Sequence, residues 1–281
     1  MPSTDNRRRF PLRLEVLKTR WITRSMRRLV LGGQDVETFL ERDLGYTDRY
    51  VKLVFLHPGE TYPEPLDTEL VRETMPREVW PVMRTYTVRW IDRDARTLAI
   101  DFVVHGDSGI AGPWAAQASV GDRIHLVGPG GAYTPATEPD WHLLAGDDAA
   151  LPAIAAALEA MPAGRPVHAF IEVDAPQDEQ PLTSAADLRL TWLHRNGAEP
   201  GTTGLLADAV RSMDWPQGRA QAFVHGESSL LKALRSYLRD ERAIDPADLS
   251  ISGYWRCGAN EEGFRAWKAA QAKEQAKVGA V

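Results

Sequence analysis

The stretch Trp141-His142-Leu143-Leu144-Ala145-Gly146-Asp147-Asp148, continued by residues 149–161 (AALPAIAAALEAM), divides the chain into two kinds of pattern. Residues 141–145 read as a short apolar strand and Gly146-Asp147-Asp148 as a turn. Residues 149–161 read as a helix, with Asp148 as the expected N-cap. Pro152 falls in the first turn, where a missing N–H costs little. A strand that passes straight into a helix is the opening of a parallel-sheet unit.

Downstream the alternation continues. Strands are expected at 166–173, 188–193, 220–225 and 249–254, and helices at 204–212 and 228–242. In the last helix Leu230, Leu234, Tyr237 and Leu238 share one face. Phe264 and Trp267 mark a C-terminal helix over 261–277.

Upstream the period is two. Strands are expected at 12–22, 50–57, 82–91, 97–105 and 122–127, with a short helix at 35–44. The run 82–91 (VMRTYTVRWI) sets Val82, Arg84, Tyr86, Val88 and Trp90 on one face. Several such strands separated by turns predict an antiparallel barrel. The Pro-containing connector 134–140 separates two expected domains, 1–136 and 137–281. The predicted architecture is therefore β followed by α/β: a Greek-key barrel, then a parallel sheet with helices.

Composition narrows the chemistry. The 281 residues suit two domains of about 150 residues each. A net charge of -6 argues against a protein that coats nucleic acid. No run of 18 apolar residues is present, so no membrane span is expected. Arg7-Arg8-Arg9 resembles the start of an export signal, but no apolar segment follows, and a cytoplasmic location is expected. The single cysteine, Cys257, excludes an internal disulfide, a Cys-based zinc site and an iron–sulfur cluster. The histidines lack metal-ligand spacing, so redox chemistry would come from an organic cofactor or from a metal carried by the substrate.

Two segments carry candidate chemistry. Arg84-Thr85-Tyr86-Thr87 offers a cationic fork, an aromatic plane and a hydroxyl, a set that suits a flavin nucleotide. Taken alone, it also fits a surface strand with a core tyrosine. His105-Gly106-Asp107-Ser108-Gly109-Ile110-Ala111-Gly112-Pro113-Trp114 follows a strand and precedes a helical start. Its glycines let backbone N–H groups approach a pyrophosphate, and they equally fit an ordinary turn.

Together these segments carry a resemblance. Arg84-x-Tyr86-Thr87-x-Arg89, then residues 101–107 (DFVVHGD), then Gly109-x-Ala111-x-x-Trp114 resemble the siderophore-interacting protein family. Ala145-Gly146-Asp147-Asp148-Ala149-Ala150-Leu151-Pro152-Ala153-Ile154, Gly226-Glu227 before a helix, and Ser252-Gly253-Tyr254-Trp255-Arg256 are similar to further motifs of that family. The resemblance runs from about residue 10 to residue 267.

It implies an FAD-dependent ferric-siderophore reductase of the ferredoxin–NADP reductase superfamily, with NADPH or NADH as donor. By the same resemblance Arg84, Tyr86 and Thr87 hold the flavin phosphate, ring and N5 edge. Val103, His105, Gly109, Ala111 and Trp114 line the ribityl and pyrophosphate region. Gly146, Asp147, Pro152, Gly226 and Glu227 form the nicotinamide-nucleotide groove. Lys52 and Arg256 face the anionic ferric chelate. Ala149 departs from the family, which often has a Thr there, and a hydroxyl near the cofactor is lost.

Read from the residues alone, Lys52 equally fits a lysine snorkelling from the barrel surface. Glu172-Val173-Asp174 at the end of one strand offers an acid that favours NADH, and Arg195 at the end of the next favours the 2′-phosphate of NADPH, so the two signals oppose one another. Two further functions share the scaffold: a reductase serving a ferredoxin-type partner, and a ferric-siderophore binding protein without enzymatic activity.

Overall fold

The computed structural model describes residues 10–106, 109–259 and 263. Six strands, β1 (Leu12–Trp21), β2 (Met26–Gly32), β3 (Tyr50–Phe55), β4 (Val82–Asp92), β5 (Thr97–Val103) and β6 (Arg123–Gly130), close into a barrel in the order β1-β2-β5-β4-β3-β6. All neighbouring pairs are antiparallel. The connections from β2 to β3 and from β5 to β6 each skip two neighbouring strands, which is the Greek-key arrangement. Closure removes the sheet edges that would otherwise expose unpaired N–H and C=O groups.

Period two drives the barrel core. Leu12, Leu14 and Val16 point inward from β1, Val51, Leu53 and Phe55 from β3, and Leu98, Ile100 and Phe102 from β5. Helix α1 (Val36–Arg42) adds the fully buried Phe39, and helix α3 (Ala111–Gln117) adds Ala111 and Ala115. Burying a side chain such as Phe39 stabilises by about 1.5–3 kcal/mol.

The second unit is a five-stranded parallel sheet in the order β11-β10-β7-β8-β9. Its strands are β7 (Trp141–Asp147), β8 (Pro166–Val173), β9 (Asp187–His194), β10 (Ala220–Glu227) and β11 (Leu249–Trp255). Helix α4 (Leu151–Glu159) and the barrel residues Met26 and Tyr133 pack with Leu144, Ala169 and Phe223. Helices α5 (Leu205–Ser212) and α6 (Ser228–Ser236) pack with Leu143, Ala145 and Val224. A sheet covered on both faces needs near-continuous apolar strands, and β7 and β10 are buried along their whole length.

Four local features differ from what the sequence predicts. Strand β2 is not expected, because Arg27 and Arg28 break the apolar period. Arg28 is accommodated by a fork onto the buried carboxylate of Asp101 at 2.6 and 2.7 Å. A short helix α2 (Thr68–Thr74) is not expected either; Asp67 caps it by accepting from the N–H groups of Glu69 and Leu70. The alternation expected through β4 slips at a bulge between Val88 and Trp90, so Ile91 packs against the core after Val88. Asp148 does not cap α4, whose N-cap position falls on Ala150 with no side-chain acceptor; Asp147 Oδ1 instead takes the N–H groups of Ala149 at 3.0 Å and Ala150 at 3.3 Å in the turn before the helix. The expected C-terminal helix over 261–277, with Phe264 and Trp267, lies outside the described residues, as do Asp107 and Ser108.

The connector between the two units is pinned to the sheet. Gln221 of β10 accepts from the Ala136 N–H at 2.9 Å and donates to the Thr134 carbonyl at 3.3 Å. Among the described residues no helix is long and apolar enough to cross a membrane.

Candidate functional site

At the C-terminal edge of the parallel sheet, Gly146 and Gly226 allow β7, β10 and α4 to approach closely. A Cβ on Gly146 would lie 2.6 Å from the Ala150 Cβ and 2.7 Å from the His225 carbonyl oxygen. Gly226 has φ +144°, and a Cβ there would lie 2.7 Å from Asp147 Oδ2.

The Asp147 carboxylate is the knot of this edge. Besides the two amides of the turn before α4 on Oδ1, its Oδ2 accepts from the Glu227 N–H and from Trp255 Nε1, each at 2.8 Å. Burial pushes the Asp147 pKa up, and these donors oppose the rise. Glu227 is a second brace, further out. Its carboxylate accepts from the Ser229 N–H at 2.6 Å and the Cys257 N–H at 3.1 Å, joining α6 to the segment after β11. Pro152 is buried in the first turn of α4. The five residues expected in the nicotinamide groove are thus brought together at the ends of β7 and β10.

On the barrel side the aromatic rings gather. Tyr86 lies 4.5 Å from Phe102, and Trp114 lies 5.8 Å from Phe102 and 5.7 Å from Phe55, between ring centroids. Arg84 is half-buried and donates to the Met83 carbonyl at 2.8 Å. Val103 is half-buried where the barrel meets the sheet. His105 and Gly109, the latter with φ +82°, are exposed in the loop before α3. Ala111 is buried at the start of that helix, and a Cβ on Gly112 would come within 3.3 Å of the Val103 carbonyl oxygen. Gly109, Ala111 and Gly112 carry no side chain beyond Cβ, so a ligand can come close to the backbone of these residues.

Thr87 links the two halves. It is buried on β4 beside the Tyr254 side chain of β11; Tyr254 also packs edge-on to His225 at 4.9 Å. Burial pushes the Tyr254 phenol pKa far up, so it stays protonated. Lys52 is half-buried and pairs in register with Thr85, two residues from Thr87 on β4. Arg256 is half-buried two residues beyond Tyr254. Lys52 thus lies on the barrel strand next to β4, and Arg256 follows β11 on the other unit.

Several residues escape a reading of the sequence. Tyr254 and Trp255 stand in one of the family-like motifs, yet their partners Thr87 and Asp147 lie far away in the chain. Glu172 and Arg195, whose signals oppose one another, are partners in one ion pair, with Arg195 Nη1 3.6 Å from Glu172 Oε1.

Comparisons with known proteins agree with this arrangement. Residues 15–133 match the siderophore-interacting FAD-binding domain, and residues 139–258 match the siderophore-interacting protein model. An uncharacterized protein of Mycobacterium tuberculosis is 44% identical over 93% of this chain and 96% of its own. A ferric vibriobactin reductase of Vibrio cholerae is 35% identical over 93% and 95%. An NADPH-dependent ferric-chelate reductase of Escherichia coli is 30% identical over 86% and 91%. The crystal structure of a siderophore utilization protein from T. fusca superposes with a TM-score of 0.77 at 37% identity, covering 89% of this chain and 94% of that one. With its FAD-binding barrel and its parallel-sheet unit both matched, the chain belongs to the siderophore-interacting protein family.

Proposed function

We propose that this protein is a ferric-siderophore reductase that takes electrons from a reduced nicotinamide nucleotide and delivers them to Fe(III) in the chelate. The observation that carries the reading is the docking of β4, the strand of Arg84-x-Tyr86-Thr87, onto α4, the helix that follows Gly146-Asp147: Arg89 of β4 forks onto Glu159 of α4 at 2.8 and 2.5 Å. The relatives named as ferric-chelate and ferric vibriobactin reductases support the same substrate class.

The residues present fit FAD. Arg84 supplies a fixed positive charge for a phosphate, and Tyr86 and Trp114 supply an aromatic wall beside Phe102. Thr87 holds a hydroxyl at the junction, and the exposed loop with His105 and Gly109, followed by Ala111, offers backbone N–H groups. Val103 lines the same region. When bound, FAD supplies the conversion of a two-electron donor into single electrons for iron.

The other unit binds the donor. Gly146, Asp147, Pro152, Gly226 and Glu227 shape a crevice beyond the strand ends, the usual ligand position in an open α/β sheet. Asp147 and Glu227 act as braces, because their oxygens are engaged by this chain's own N–H groups. Lys52 and Arg256 attract the negative chelate, and no residue needs to act as general acid or base. Reduced iron binds hard oxygen donors much more weakly, so the chelate releases it. In this reading residues 1–136 hold the flavin and residues 137–281 bring the donor.

The test is an absorbance spectrum of the purified protein, followed by anaerobic addition of a nicotinamide nucleotide and then a ferric siderophore. Flavin bands that bleach with the nucleotide and recover with the chelate, as Fe(II) appears, support the reductase. Bands that bleach without recovering direct the search to a different acceptor. A protein that stays colourless after FAD is supplied overturns the reading.

A further inference from the structure

The ends of β7, β8 and β9 share a buried ion cluster whose members look like competing signals in the linear sequence. Arg195, just past β9, has its side chain only 5% exposed and donates from Nη2 to Asp148 Oδ2 at 2.7 Å. Its Nη1 faces Glu172 Oε1 at 3.6 Å, and Glu172 Oε2 accepts the Thr203 hydroxyl at 2.8 Å. Among the described residues, Arg195 Nε and Nη1 have no hydrogen-bond partner. The guanidinium is therefore enclosed and held by two carboxylates, with almost none of its surface turned to an incoming phosphate.

The surroundings add negative charge. Asp174 and Asp178 share Arg24, at 2.5 and 2.9 Å, and Glu179 holds His194 at 2.8 Å. This edge thus sets five carboxylates, Asp148, Glu172, Asp174, Asp178 and Glu179, against two guanidiniums and one imidazole.

We propose that the crevice selects the dinucleotide without a 2′-phosphate, NADH, and that Asp148 and Glu172 enforce the choice by holding Arg195. The inference rests on the nicotinamide-donor reading above and deepens it. In this class of sheet, an acid at the end of the second strand suits a ribose hydroxyl, and a free arginine nearby suits a 2′-phosphate. Here the arginine is already claimed. Drawing it away would leave Glu172 buried without its counter-charge, a costly state. A 2′-phosphate would also bring its negative charge to an edge that is already negative. A ribose hydroxyl brings no charge and can donate to the partly exposed carboxylates of Asp174 or Glu179.

The test uses the flavin-loaded protein. 5′-AMP and adenosine 2′,5′-bisphosphate are titrated calorimetrically, and anaerobic flavin bleaching by NADH and NADPH is timed in the same buffer. The expected result is at least about tenfold tighter binding of 5′-AMP, with a similar advantage for NADH in kcat/KM. Asp148→Asn, which loosens Arg195, and Glu179→Gln, a partly exposed change that spares the cluster, both narrow the ratio. Equal or reversed preference overturns the proposal, as does a ratio that neither variant moves. Selective 5′-AMP binding without bleaching supports the selectivity and sinks the hydride-donor reading instead. No binding of any of the four nucleotides overturns both.

Discussion

The guanidinium of Arg89 in β4 grips the Glu159 carboxylate at the end of α4 with two hydrogen bonds, at 2.8 and 2.5 Å, across the junction of barrel and sheet. The Arg89 side chain is 9% exposed and that of Glu159 42%, so the pair is buried on the barrel side and wet on the other. Glu159→Gln leaves the buried guanidinium one neutral acceptor in place of its counter-charge and is expected to cost about 1–3 kcal/mol, read as a fall in Tm. Its larger effect should be on domain docking. Faster proteolysis of the connector 134–140, measured beside the Tm, checks that expectation.

Asp147 is the opposite case, because it is buried and serves four donors. Asp147→Asn keeps the size but replaces one acceptor oxygen with an NH2 group that faces N–H donors. The expected loss is about 2–4 kcal/mol in denaturant unfolding. Nucleotide binding should weaken with it, since the same carboxylate ties β7, α4, β10 and β11. A variant of wild-type stability and affinity would show that the knot is dispensable.

Reversing the two junction cations, Lys52→Glu with Arg256→Glu, is expected to raise KM for an anionic ferric chelate at least about tenfold. Turnover at saturating chelate should fall less. The effect should shrink as salt is added, because charges separated by more than about 8 Å are screened at 0.15 M. Steady-state kinetics at two ionic strengths read both effects, and an unchanged KM removes these residues from the chelate site.

Acid sensitivity should centre on His142 in β7. It is fully buried, and burial, with Arg165 adding, pushes its pKa down to about 4. The unfolded chain takes up this proton near pH 6.5, well before the folded protein does. The stabilisation is therefore present above pH 6.5 and is lost as pH falls through 4, amounting to about 3 kcal/mol. His142→Gln should flatten the decline in urea stability between pH 7 and pH 4. Parallel curves for the two proteins would place the acid-labile group elsewhere.

Much of the architecture is legible in short stretches of chain. Period two in β1, β3, β4 and β5 and the strand-to-helix step at Gly146 follow from side-chain geometry alone, since alternate residues of a strand face opposite sides. Strand β2 is hidden because Arg27 and Arg28 look like solvent-facing residues until Asp101, from another strand, supplies the counter-charge of Arg28 and the Ala116 and Ala118 carbonyls accept from Arg27. Asp148 looks like the helix cap because spacing cannot tell which of two adjacent aspartates turns inward. It is Asp147 that turns inward, binding the turn before α4 while Trp255 and Glu227 donate to its other oxygen, and the helix itself starts without a side-chain cap.

The candidate site divides in the same way. Residue types at fixed spacings mark Arg84-x-Tyr86-Thr87, the glycine loop before α3 and Gly226-Glu227 as candidates, and it is the family resemblance they carry together that gives them roles. Folding alone decides that Arg89 grips Glu159, that Trp255 donates to Asp147, and that Glu172 and Arg195 face one another. Those pairings join residues tens to over a hundred positions apart. They depend on how a sheet assembles and how a barrel docks on it, and no short-range periodicity encodes a contact between surfaces that meet only after each has folded.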